Sequence, residues 1–356
     1  MWRRRTTCCA YLFLRVAFSH ALPTLQPDEW HARLPGLQTI SDRPNATADA
    51  TITRYNSPRN FTLPIVIDGA EFATGFALPH VDGDTAPFEH LALQAAQICA
   101  QWRARGLYSR VSCADEIARA AETEWIEARR QEHFATLARR DVKWTADQYH
   151  FNAAFAHFER WLVSRRALGS PAATRVLELG SFEGGSAVWL ADHVLSVGGA
   201  RARLLCVDLW RADDGLSSDH GNIPRRVINT ARELFEANVR RSPHAERVDA
   251  LAASTTRVLA ALLGDSVEVD AFDLVYVDAG HRAPDVVVDG ALAFRLLRTG
   301  GIMAFDDYDA GRTPPSGCKR GIDAFLAAHD GLFELLEPPA YQLWLRKTAA
   351  VATAPY

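Results

Sequence analysis

From Arg175 onward, short apolar runs alternate with longer helical periods, and this alternation restricts the chain to a few folds. The runs near 175–179, 203–209, 247–252, 272–278 and 301–306 are nearly continuous in apolar residues. Runs of that length and composition are strands buried on both faces. Between and after them, residues near 185–197, 224–240, 255–263, 284–298 and 318–329 have the length and period of helices. Strands joined through helices make right-handed crossovers, so the pattern predicts a parallel sheet covered on both sides. Two more strands, near 332–337 and 341–346, are separated only by Glu337-Pro-Pro-Ala340. So short a link cannot make a crossover, and the last strand is expected to run antiparallel. The chain has no internal repeat.

The region before this unit follows other rules. Residues 61–79 read as two strands about the Asp68-Gly69 turn. Helices are expected near 87–105 and 114–140, the second opened by Ser112 and Asp115 as a capping box. A third is expected to begin at Thr145, with Gln148 completing the same device, and to end at Gly169. Its Phe151, Phe155, Phe158 and Leu162 fall on one helical face. Residues 22–60 are rich in Pro, Asn, Thr and Asp and read as a linker. The expected organisation is a targeting segment and linker over 1–60, then an N-terminal cover, substrate wall or homo-oligomer contact over 61–144. An α/β Rossmann-like domain with a seven-stranded sheet follows over 145–347, and a tail over 348–356.

Residues 1–21 leave the location open between cytoplasmic, secretory and organellar. Arg3, Arg4 and Arg5 precede the apolar stretch Cys8–Phe18, Ser19-His20-Ala21 resembles a cleavage site, and no acid appears before Asp28. Arg15 interrupts the apolar stretch, which suits an Arg-rich transit peptide equally. The N-x-T triplets at Asn45 and Asn60 would be glycosylated only along a secretory route. No stretch reaches the roughly 18 apolar residues of a membrane span. A net charge of −4 gives no electrostatic reason to expect a nucleic-acid partner. Cys8, Cys9, Cys99, Cys113, Cys206 and Cys318 are scattered, which argues against a disulfide scaffold and a zinc site, and Cys206 reads as a small buried hydrophobe.

Three strands deliver polar groups at their C-terminal ends, where open α/β sheets bind ligands. The first runs into Glu178-Leu-Gly180-Ser181-Phe-Glu-Gly184-Gly-Ser186. This spacing does not meet the dinucleotide fingerprint, and Glu178 would repel a pyrophosphate but attract a cationic ligand. The next strand ends in Asp208, suited to ribose hydroxyls, followed by Trp210, suited to stacking on adenine. A tight turn with a solvated carboxylate is the bland alternative. Asp278, Asp306 and Asp307 fall at neighbouring strand ends, where three carboxylates would repel one another unless a cation joins them. Oxygen-only ligation suits Mg²⁺ or a similar hard ion; a capped, solvated loop is the alternative. His281, three residues past Asp278, can accept a hydroxyl proton as general base, or serve only as a helix-entry residue.

Taken with Leu204-Leu-Cys-Val-Asp-Leu-Trp210 and Gly300-Gly-Ile-Met-Ala-Phe-Asp-Asp-Tyr308, these segments resemble the class I S-adenosylmethionine-dependent methyltransferases. They are most similar to the metal-dependent branch acting on hydroxyls of sugars, polyketides and catechols. The resemblance covers about 145–347. It implies S-adenosylmethionine held by Glu178, Gly180, Ser181, Gly184, Ser186, Asp208 and Trp210, with Ser254 near the adenine. It also implies Mg²⁺ on Asp278, Asp306 and Asp307, and a small-molecule hydroxyl acceptor deprotonated by His281. An N-methyltransferase usually carries an Asn/Asp-Pro-Pro-Tyr/Phe turn where this chain has Asp278-Ala-Gly-His281. A non-catalytic scaffold would need neither the acids nor the base.

Overall fold

A computed structural model describes residues 25–40, 60–67, 70–77, 86–106, 112–145, 149–169, 174–211, 225–266, 268–309, 311 and 313–351. In chain order the elements begin with α1 (Pro27–Arg33), β1 (Gln38–Thr39), the hairpin strands β2 (Asn60–Ile67) and β3 (Ala70–Ala77), α2 (Pro87–Ala104) and α3 (Cys113–Arg139). Next come α4 (Tyr149–Phe158), β4 (Arg175–Leu179), α5 (Gly185–Leu190), β5 (Arg203–Asp208), α6 (Arg225–Val239), β6 (Val248–Ala252) and α7 (Thr255–Leu263). The chain closes with β7 (Phe272–Val277), α8 (Ala283–Leu296), β8 (Leu297–Phe305), α9 (Gly317–Ala328), β9 (Phe333–Leu335) and β10 (Leu343–Lys347).

The main sheet has the order β1-β6-β5-β4-β7-β8-β10-β9. Strands β6, β5, β4, β7 and β8 are mutually parallel. β10 runs antiparallel to both β8 and β9, as the short Pro-Pro link requires. The chain enters the sheet centre at β4, steps outward to β6, then returns to β4's other side at β7. That reversal creates a crevice between β4 and β7, at their C-terminal ends.

Side chains alternate across the strands, so each contributes to two apolar layers. Val176, Leu204, Leu274, Ile302 and Trp344 face one layer with Phe155, Phe158 and Trp189; α2 and α3 join it through Leu91, Ile117 and Trp125. Leu177, Leu205, Val275, Met303 and Leu345 face the other with Leu259, Phe294 and Phe325. Both α4 and α5 continue into a π-helical turn, over Glu159–Ser164 and Ala191–Leu195. Arg129 of α3 ties the two turns together. Its guanidinium donates to Glu159 from Nε at 2.9 Å and from Nη2 at 3.1 Å, and Nη2 lies 3.1 Å from His193 Nδ1.

Several expectations are corrected. The sheet has eight strands, because part of the stretch read as a linker is ordered: α1 packs under the sheet and β1 pairs antiparallel with β6. Leu25, Trp30 and Leu34 are fully buried there, too few and too widely spaced to give a legible period. Ser112 makes no capping bond; its hydroxyl donates to Glu116 at 2.5 Å. Thr145 bonds Glu183 through its backbone N–H and its hydroxyl, while Gln148, the other half of that device, lies outside the described residues. Two of the scattered cysteines, Cys99 and Cys113, form a disulfide joining α2 to α3. Asn45 and residues 1–24 also lie outside the described residues.

Candidate active site

The crevice is built on Gly180. Its φ is +87°, and a Cβ placed there would lie 1.8 Å from the Asp278 carbonyl oxygen. Only glycine allows the ends of β4 and β7 to close to this distance. The Gly180 N–H donates to Val207 and the Asp278 N–H to Leu179, so the backbone stays paired up to the turn itself. Gly184, also at φ +87°, starts α5 against Phe235.

Glu178 lies under this turn with no exposed surface. Its carboxylate accepts from the hydroxyls of Ser181 and Ser186. Burial raises its pKa to about 7, against the opposing pull of those two bonds. Glu178 therefore meets the crevice through two serine hydroxyls, as a buried acid. Asp208 accepts from the N–H groups of Ser181 and Phe182, each at 2.9 Å, and of Trp210 at 2.7 Å. Of a carboxylate's roughly four lone-pair positions, three are thus spent on shaping the turn. Trp210 is buried, with its indole N–H donating to the Phe182 carbonyl at 2.7 Å and its ring 4.8 Å from Phe235. The ring braces the turn. Ser254 sits just before α7 and makes no side-chain cap bond.

Sequence reasoning missed Glu183. This buried acid accepts from the backbone N–H of Thr145 at 2.9 Å and from its hydroxyl. Asn238 on α6 bonds the Lys143 N–H, the Lys143 carbonyl and the Glu183 carbonyl. Together they clamp residues 143–145 onto the glycine turn.

On the other side of the crevice, Asp278, Asp306 and Asp307 each bring a carboxylate oxygen within 4.8 Å of the others. Burial raises the pKa of Asp278, and the nearby Asp307 adds to the shift while a His281 hydrogen bond opposes it. Burial pushes Asp306 well above its ordinary range, with Asp278 and Asp307 adding repulsion. Three carboxylates so close are at odds with one another in the absence of a cation, and the oxygen donor set fits a hard divalent ion. His281 Nε2 lies 3.4 Å from Asp307 and 3.8 Å from Asp278.

Neutral donors support these acids. Gln342 donates from Nε2 to Asp306 at 2.8 Å, and the Trp344 indole N–H holds the Gln342 carbonyl oxygen at 2.9 Å. Tyr341 donates to Asp307 at 2.9 Å, and Tyr276 to Asp278 at 3.4 Å. Burial raises the pKa of both phenols, Tyr276 well above its ordinary value, which keeps them protonated as donors. The β8–β10 register could have revealed Gln342 and Tyr341. Leu343 pairs with Phe305, so continuing the antiparallel ladder sets 342 beside 306 and 341 beside 307.

Residues 177–308, from β4 through the acidic pair, match the family profile described as a methyltransferase domain. Over those residues, less than half of its length, the chain is similar to methyltransferase domains. Among solved structures, the O-methyltransferase NovP aligns over 49% of this chain and 72% of its own, at 16% identity and a TM-score of 0.38. CalS11, a calicheamicin methyltransferase, aligns over 78% and 99%, at 14% identity and a TM-score of 0.37. A putative rRNA methylase from Clostridium thermocellum aligns over 51% and 90%, at 16% identity and a TM-score of 0.37. Scores this low carry no argument about function. No curated protein matches the chain.

Proposed function

We propose that this enzyme methylates a hydroxyl group of a small molecule, with a divalent cation held by Asp278, Asp306 and Asp307. The clustering of these three carboxylates within 4.8 Å, beside His281 at the crevice, carries the reading. When bound there, S-adenosylmethionine supplies an electrophilic methyl group and a Mg²⁺-type ion supplies electrostatic stabilisation to the acceptor oxygen.

The chain's own groups supply the rest. Gly180 lets the cofactor turn approach the acids, which sets the two reactants side by side. Orientation of that kind is worth about 7–11 kcal/mol of barrier. Ser181 and Ser186, held from below by Glu178, offer hydroxyls to the cofactor, and Asp208 keeps the turn in shape for its ribose. Ser254, at the start of α7, is assigned to the adenine side. His281 takes the acceptor's proton on its imidazole, a step worth about 10²–10⁴-fold in rate. Positioning therefore outweighs the base.

The test uses purified protein, S-adenosylmethionine labelled in the methyl group, and a panel of sugar, polyketide and catechol hydroxyls. Label should enter a hydroxyl acceptor with Mg²⁺, stop in chelator and resume when Mg²⁺ is restored. Full transfer in chelator would remove the cation from the reading. Transfer to nitrogen acceptors alone would overturn the hydroxyl.

A further inference from the structure

We propose that His281, Asp307 and Cys318 form a second cation site, suited to soft divalent ions such as Zn²⁺ and sharing Asp307 with the three-acid cluster. One ligand atom from each of these residues lies within 4.8 Å of the other two. His281 Nε2 is 3.4 Å from Asp307, and the Cys318 thiol approaches the His281 carbonyl at 3.8 Å. The approach is built into the backbone. A Cβ at Gly317 would lie 2.1 Å from the His281 carbonyl oxygen, so the missing side chain is what lets the start of α9 press against this turn. Cys318, the next residue, is carried in with it.

The donor chemistry separates the two sites. Asp278, Asp306 and Asp307 offer oxygen only, the preference of Mg²⁺. Imidazole, carboxylate and thiolate together suit Zn²⁺, Co²⁺ or Cd²⁺, with a fourth tetrahedral position left for water. On binding, the Cys318 thiol gives its proton to solvent, and the thiolate and the Asp307 carboxylate together balance the two positive charges. No electrons are transferred. Because Asp307 belongs to both groups, filling the soft site competes with filling the hard one. It also occupies a lone pair on His281, so under the hydroxyl-transfer reading Zn²⁺ inhibits where Mg²⁺ supports. The binding itself does not rest on that reading.

The test titrates the full chain with Co²⁺ and follows the thiolate-to-metal charge-transfer absorption in the near ultraviolet. The band should saturate, vanish in Cys318→Ser, survive in Asp278→Asn and be displaced by Zn²⁺. Absence of the band in the wild type, or its persistence in Cys318→Ser, overturns the site; so does equal loss in Asp278→Asn, which would merge the two groups into one. Should Cys318→Ser fail to fold, His281→Gln decides. The band should then need at least about tenfold more Co²⁺, the scale of weakening when a metal site loses a partner, and unchanged affinity overturns the proposal. Inhibition of methyl transfer by Zn²⁺, relieved in Cys318→Ser, is read separately. A failure of the hydroxyl reading would remove that inhibition and leave the band.

Discussion

A carboxyl group with no exposed surface, as Glu178 is, holds its proton more tightly than the same group in the unfolded chain. Its folded pKa of about 7 stands above the ordinary 4.5. Between those values the folded state keeps a proton that the unfolded state has lost, so stability is full below this window, falls as pH rises through it and levels off above. Glu178→Gln should lack that decline. Thermal melts from about pH 5 to pH 8 should therefore diverge between the two proteins, with wild type losing more on the alkaline side. A sulfonium ion nearby favours the ionised acid. The preference for S-adenosylmethionine over S-adenosylhomocysteine, which lacks the sulfonium charge, should thus grow as pH passes about 7, and stay flat in Glu178→Gln. Parallel curves in both proteins would locate the relevant charge elsewhere. The acid two positions before the first glycine was legible in the sequence. Its complete burial under two serines was not, because burial depends on the helices that cover the turn.

The acids at the ends of β7 and β8 owe their setting to the chain entering β10, which runs antiparallel and, just before the strand, supplies a donor to each of two neighbouring carboxylates. Trp344 fixes the Gln342 amide with its N–H₂ toward Asp306. Gln342→Leu leaves a buried carboxylate without that bond, at a cost of about 1–3 kcal/mol in stability. The Mg²⁺ concentration for half-maximal methyl transfer should rise about 10–100-fold, with the rate recovered at saturating metal. A lowered rate with unchanged metal demand would mean that Gln342 acts on the acceptor and not on Asp306. Strand ends, glycine turn and acids could be read from local pattern, because each strand is a short apolar run that stops on a polar residue. Tyr341, Gln342, Glu183 and Cys318 could not, because each reaches the site through register or through a close backbone approach elsewhere. Ser112 misled for a related reason: an acid within reach offered its side chain a better partner than the backbone.

At the scale of the whole molecule, α1 packs on one face of the sheet and the pair α2 and α3 on the other. Trp30 of α1 is fully buried with its ring 5.2 Å from Phe272, and Arg33 donates to the Leu262 carbonyl at 2.5 Å. Trp30→Ala should cost about 3–5 kcal/mol, read as an earlier denaturant midpoint with cofactor affinity preserved in the folded fraction. A loss below about 1 kcal/mol would show that α1 is an ornament of the sheet edge. The disulfide between Cys99 and Cys113 acts on the opposite layer, where it closes the loop between two helices. It also makes the history of a sample matter. Protein produced in a reducing cytosol and protein exported through an oxidising compartment would share one sequence and differ by two hydrogen atoms. For a batch that melts early an alkylation assay is decisive, since incorporation at Cys99 and Cys113 tells an unsealed helical pair from a damaged protein.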